Sequence, residues 1–218
     1  MITARDLHLR AGERELLTDL SFTFEAAEFV AVLGPNGVGK STLLRTIAGL
    51  QRPASGSVTI DDVPVNTMKA TERARRIALL ATDDVFLERL AVQDVVSMGR
   101  FAHHQWWHWS EDREDARVVE SAIAAVGLRE FADRPFATLS SGERQRVWIA
   151  LALAQESPVL LLDEPTTHMD VRVAHEILSL LKRQRDAGKT VVCVLHDLNE
   201  ASEFADRVLL LGCGEMLA

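Results

Sequence analysis

The residues with the clearest chemical meaning lie near the N-terminus. Phe29-Val30-Ala31-Val32-Leu33 runs directly into Gly34-Pro35-Asn36-Gly37-Val38-Gly39-Lys40-Ser41-Thr42. The second stretch fits GxxxxGK[ST] in the context that the pattern needs: an apolar strand before it and a helix after it. Gly34, Gly37 and Gly39 let the backbone turn tightly enough for successive N–H groups to face phosphate oxygens. The helix that follows offers its positive end to the same anion. Lys40 can reach the β- and γ-phosphates, and the Ser41 hydroxyl can ligate Mg²⁺. This is a cradle for a nucleotide's phosphates.

Two further groups suit the same chemistry. Pro158-Val159-Leu160-Leu161-Leu162-Asp163-Glu164-Pro165 sets two carboxylates at the end of an apolar strand, where open α/β sheets bind their ligands. Asp163 is suited to hold Mg²⁺ through water, and Glu164 to take a proton from the water that attacks the γ-phosphate. Val194-Leu195-His196-Asp197 places His196 at the end of another apolar strand, within range of a γ-phosphate on the same sheet edge.

The elements that position these groups read as an α/β fold. Strand-like runs occur at Phe29–Leu33, Val58–Ile60, Ile77–Leu80, Val159–Leu162, Val191–Leu195 and Val208–Leu211. Several are apolar throughout, as in parallel strands buried on both faces. Helical patterns run from Lys40 to near Gly49, from after Ser110 (a candidate cap, with Glu111 and Asp112 in the first turn) to Gly127, and from about Val171 to Ala187. Strands alternating with helices predict an α/β core. The stretch from about Asp83 to Gln155 holds helical patterns and no convincing strand, and reads as a helical lobe inserted in that core.

Leu139-Ser140-Ser141-Gly142-Glu143-Arg144-Gln145-Arg146 resembles the signature of the ATP-binding cassette family, usually LSGGQ, with Ser141 in place of one of its glycines. Thr167-His168-Met169-Asp170 resembles that family's D-loop, and His196 its switch histidine. The motifs fall in family order along essentially the whole chain. The resemblance implies a P-loop NTPase (RecA-like) core with N-terminal antiparallel strands and an inserted α-helical subdomain. It implies one domain over 1–218, with the core at about 1–82 and 156–218 and the helical subdomain at about 83–155. ATP and Mg²⁺ would be held between the cradle of one subunit and Ser140, Ser141, Gly142, Glu143 and Asp170 of a second in a homodimer. Permease subunits in the membrane and, indirectly, a periplasmic or lipoprotein substrate-binding protein would complete the machine.

Val95–Arg100, Trp109–Asp112 and Arg146–Gln155 look like importers of iron(III)–siderophore complexes. Heme and cobalamin importers are close alternatives, and a soluble non-transport cassette protein is another.

The sequence departs from the family in three places. Thr82 stands where the family usually has a Gln that touches Mg²⁺ and the attacking water, so the Gln role stays open for Thr82. The family's aromatic ring over adenine has no counterpart near Leu9-Arg10-Ala11-Gly12, and the chain has no Tyr. The Arg10 guanidinium is the planar group there that could stack instead. The chain also stops at Ala218, some dozens of residues before relatives usually do, which would weaken dimer and permease contacts.

Composition limits the alternatives. The net charge of −8 argues against bulk nucleic-acid binding. No apolar run is long enough to span a bilayer, and the N-terminus lacks a signal-peptide core. The expected place is the cytoplasmic face of the membrane, reached through a permease. Cys193 lies in an apolar run and Cys213 has no partner pattern, so neither suggests a disulfide. His103–Trp109 concentrates His and Trp without a carboxylate or Cys between them and reads as packing within the helical lobe.

Overall fold

The structure is a computed structural model that describes residues 1–80, 89–103, 113–212 and 215–217. Thr82, Cys213, Ser110–Asp112 and the Trp residues of the His/Trp stretch lie outside the described residues.

The chain opens with β1 (Ile2–Ala11), β2 (Arg14–Phe24) and β3 (Phe29–Leu33), then α1 (Lys40–Ile47), β4 (Ser55–Ile60), β5 (Val63–Pro64), α2 (Ala70–Arg76) and β6 (Ile77–Leu80). Three helices follow: α3 (Val92–Ser97), α4 (Arg113–Ala125) and α5 (Ser141–Ala154). The chain then returns through β7 (Val159–Asp163), α6 (Val171–Asp186), β8 (Thr190–Val194), α7 (Leu198–Phe204), β9 (Arg207–Gly212) and β10 (Glu215–Met216).

Two sheets form, in the orders β2-β1-β4-β5 and β10-β9-β3-β8-β7-β6. The first is antiparallel. In the second, β9, β3, β8, β7 and β6 are parallel and β10 runs antiparallel at one edge.

The parallel strands are apolar throughout because both of their faces are covered. Phe29, Ala31 and Leu33 of β3 pack into one core with α3 to α7, while Val30 and Val32 face the other core with α1 and the antiparallel sheet. β7 divides in the same way: Leu160 and Leu162 on one side, Val159 and Leu161 on the other. Such a sheet has little freedom to shift register, since a one-residue slip would exchange its two faces. It is therefore a firm base for the loops at its carboxyl edge.

Candidate active site

β3, β7 and β8 end side by side, so Gly34 just after β3, Asp163 at the end of β7 and His196 just beyond β8 share one edge of the sheet. The loop after β3 is shaped by its glycines. Gly34 has φ 151°, and a Cβ there would come within 2.5 Å of the Leu211 carbonyl oxygen on β9. Gly39, at φ 117°, precedes α1, and a Cβ on it would press on Leu16 of β2 at 3.2 Å. Only glycine meets both demands. Around Gly37 a Cβ would meet nothing within 4 Å, so the crest of the loop is open.

Lys40 is buried, and its Nζ donates to the carbonyls of Gly34 at 2.7 Å and Pro35 at 3.1 Å. Burial lowers its pKa from the usual lysine value, against the upward pull of the Glu164 and Asp163 carboxylates. The same two carboxylates make the loop a better host for a cation–phosphate pair than for an isolated anion.

Asp163 is buried, and burial raises its pKa. A hydrogen bond with Ser41 pulls the other way, while Glu164 adds to the rise. Its Oδ1 is buried without a partner among the described residues. A buried carboxylate oxygen left open beside a hydroxyl fits a hard divalent cation completed by water and phosphate oxygens. Among the described residues no group of three or more His, Cys, Asp and Glu is placed to hold a metal ion.

Glu164 lies one residue beyond the strand at φ 49°. Its Oε1 is 2.8 Å from His196 Nε2, and its Oε2 accepts from Thr167 Oγ1 at 3.3 Å. Gln145 of α5 donates to the Glu164 backbone oxygen at 3.4 Å, tying the helical stretch to this corner. His196 remains about half exposed and Glu164 about a third.

The Ser140–Glu143 segment caps α5. Ser140 Oγ accepts from the Glu143 N–H at 3.3 Å, while Glu143 Oε2 accepts from both Ser140 N and Oγ at 2.7 Å. The Ser140 hydroxyl bond, and then the N–H bond, hold the Glu143 carboxyl below its usual pKa. The capping role follows from the pattern Ser-x-x-Glu, a signal that the sequence reading did not use. Gly142 lies against the 166–170 segment: a Cβ there would sit 3.2 Å from the His168 carbonyl oxygen. Asp170 caps α6, its carboxylate accepting from Val173 N at 3.0 Å. The expected residues thus fall into two groups: Gly34–Thr42, Asp163, Glu164 and His196 at the sheet edge, and Ser140–Glu143 with Asp170 at the starts of two helices.

Residues 17–167 match the family described as ABC transporter. The chain belongs to that family. As a member it binds nucleotide and is an ATPase. It is 37% identical over 217 residues to the iron(3+)-hydroxamate import ATP-binding protein FhuC of Bacillus subtilis (strain 168), covering 99% of this chain and 80% of the relative. It is 39% identical over 219 residues to the ferric enterobactin transport ATP-binding protein FepC of Escherichia coli (strain K12), covering 100% and 80%. A hemin import ATP-binding protein, HmuV of Pseudomonas putida, is 39% identical over 219 residues, covering 98% of this chain and 84% of the relative. The fold matches a dimeric ATP-binding cassette in a post-hydrolysis state with ADP and phosphate, at TM-score 0.89 and 30% identity, over 100% of this chain and 97% of that one.

Proposed function

We propose that this ATPase is the energy-coupling subunit of an importer, and that its cargo is an iron(III)–siderophore complex. The observation that carries the nucleotide chemistry is the pairing, at one sheet edge, of a glycine-shaped loop holding the buried Lys40 with the buried Asp163, whose Oδ1 has no partner among the described residues. The Gly34–Thr42 loop cradles the triphosphate, with Lys40 turning from its loop carbonyls to the β- and γ-phosphates. Ser41 and Asp163 would hold Mg²⁺, which would supply charge neutralisation for the phosphates.

Glu164 takes a proton from water as the water oxygen bonds to the γ-phosphorus and the bond to the bridging oxygen of ADP breaks. For this, Glu164 exchanges its contact with His196 for one with the water, and His196 turns to the γ-phosphate. Ser140, Ser141, Gly142, Glu143 and Asp170 act on the nucleotide of a second copy in a homodimer. Thr82 is proposed at the metal site on sequence grounds alone.

The domain plan is a single ATP-binding domain, with a core at about 1–82 and 156–218 and a helical subdomain at about 83–155. Among the described residues no helix is long and apolar enough to cross a membrane. A place at the cytoplasmic face, through permease subunits fed by a substrate-binding protein, rests on the relatives named as import proteins. The siderophore cargo rests on the same names, and the hemin relative keeps heme as the second reading.

Deleting the gene in its host and measuring uptake of radio-iron siderophores beside radio-iron heme separates the two. Loss of siderophore uptake alone is expected, and loss of heme uptake alone would sink the siderophore reading.

A further inference from the structure

A cleft of about 440 Å³ lies between the end of α4 with Arg146 of α5 on one wall and α6 on the other. None of the residues lining it belongs to the site described above. The size suits a small organic molecule. Val126, Val173 and Ile177 give it an apolar lining: Val126 and Ile177 are buried in one core, and Val173 packs against that core. Arg146, Glu176 and Arg183 bring charge to it.

The pairings of these groups leave the cleft positive. Glu176 Oε1 accepts from Arg172 Nε at 3.1 Å, so the carboxylate already has a cation beside it. His175, on the same helix, lies 3.0 Å from Glu203 Oε1 through its Nε2. Arg146 and Arg183 have no ion-pair partner among the described residues. Nη1 of Arg146 donates to the Val126 carbonyl at 3.3 Å, and its Nε is buried without a partner among the described residues. Glu143, one turn earlier on α5, feels the Arg146 charge, but its carboxylate is committed to Ser140. The carbonyls at the end of α4 are taken too. Ile123 accepts from Leu128 N and Ala124 from Gly127 N, both at 3.0 Å.

What stays unsatisfied in the cleft is therefore cationic, in a chain whose net charge is −8. A guanidinium that is partly buried and short of acceptors is costly to hold. A phosphate between two guanidinium forks supplies acceptors to both in the geometry they fit best. We infer that this cleft binds a phosphorylated small molecule, with its phosphate between Arg146 and Arg183 and its carbon body against Val126, Val173 and Ile177. The inference is independent of the nucleotide site proposed above. A molecule held by both walls ties α5 to α6.

Calorimetric titration of the full-length chain with phenyl phosphate tests this, in saturating ADP and Mg²⁺ so that the sheet-edge site is filled. Saturable binding is expected, with a Kd of about 0.1–1 mM. Inorganic phosphate should bind about ten-fold more weakly, because it has no ring to bury, and phenol should not bind. Arg183→Ala and Arg146→Gln should each weaken phenyl phosphate by about ten-fold or more. Lys182→Ala removes a positive charge from the same helix outside the cleft and should leave the affinity unchanged. Phenyl phosphate should also raise the melting temperature of the parent and not that of Arg183→Ala. Arg183 is exposed, so its variant keeps the fold and decides the matter even where Arg146→Gln does not fold. Binding that survives Arg183→Ala, or no binding up to about 10 mM, would overturn the inference. So would inorganic phosphate bound as tightly as phenyl phosphate, since the apolar lining would then contribute nothing.

Discussion

Glu164 is held from three sides: by its own backbone in the left-handed region, by His196 on one oxygen and by Thr167 on the other. A group so placed is oriented before it acts, and substitutions should separate binding from turnover. Glu164→Gln keeps the shape and removes the basic oxygen. Steady-state ATP hydrolysis should fall by roughly 10²- to 10⁴-fold, with ATP affinity nearly unchanged. Equal turnover in both chains would remove Glu164 as the base.

Asp163 supports a different prediction. Burial raises its pKa above the ordinary value of 3.8, so the folded chain binds this proton more tightly than the unfolded chain does. Its contribution to stability is fully present below that ordinary value and is lost as pH rises through the raised native one. At neutral pH and without Mg²⁺ the ionised side chain therefore costs stability. Asp163→Asn should raise the melting temperature by a few degrees, about 1 kcal/mol. The difference from wild type should shrink toward pH 4 and disappear below it, and the variant should lose the stabilisation that Mg²⁺ with nucleotide gives the parent. A variant less stable than the parent at pH 7 would mean that the buried carboxylate is satisfied in some other way.

At the scale of elements, the joint between the helices and the sheet is drawn together at Met98–Arg100, a short 3₁₀ turn after α3. Gly99 lies so close to α5 that a Cβ would come within 2.5 Å of the Leu151 carbonyl oxygen. The buried Arg100 donates to Asp115 of α4 and to Glu156 before β7, both at 2.7 Å, and to the Ala154 carbonyl at 2.8 Å. Gly99→Ala should destabilise the chain by about 1–3 kcal/mol in urea unfolding, since backbone must move to admit the methyl group. A neutral result would show that α5 can slide at this point.

The sequence made some elements plain and hid others, for physical reasons. β3, β6 and β7 stood out because burial on both faces makes a strand apolar throughout. β1 and β2 did not, because bulges break their alternation. In β1 the buried set passes from Ile2 and Ala4 to Leu7 and Leu9 across Asp6 at φ 48°, and in β2 Asp19 at φ 50° lies between Leu17 and Leu20. Period-two reading fails wherever such a residue shifts the phase. The loop at Gly34–Thr42 was legible because its glycines sit at fixed spacing between an apolar strand and a helix, which is a local pattern. The His196–Glu164 contact was not, since it depends on β7 and β8 being neighbours, which no local pattern encodes.

The whole molecule exposes something that one copy leaves unused. Val171 is 88% exposed and Leu198 is 69% exposed. They are the first residues of α6 and α7, directly after the Asp170 and Asp197 caps, and so lie beside the two segments that carry Asp170 and His196. Scattered apolar residues on a surface need no explanation. These two, however, flank a site whose Glu164 and His196 are open to solvent, where the proposed homodimer would close. Burying both side chains there would add about 2–4 kcal/mol to association. The Glu164→Gln chain, which should hold ATP without hydrolysing it, is expected to sediment as a dimer with ATP and Mg²⁺ and as a monomer without them. Val171→Asp together with Leu198→Asp should keep it monomeric while ATP binding, measured by calorimetry, stays the same. In the catalytically competent chain turnover is expected to rise more than linearly with protein concentration, and the same pair of changes should abolish that rise. If the doubly substituted chain still dimerises with ATP, the rim carries no association energy, and the helix starts at Ser140 and Asp170 would have to hold the two copies through the nucleotide alone.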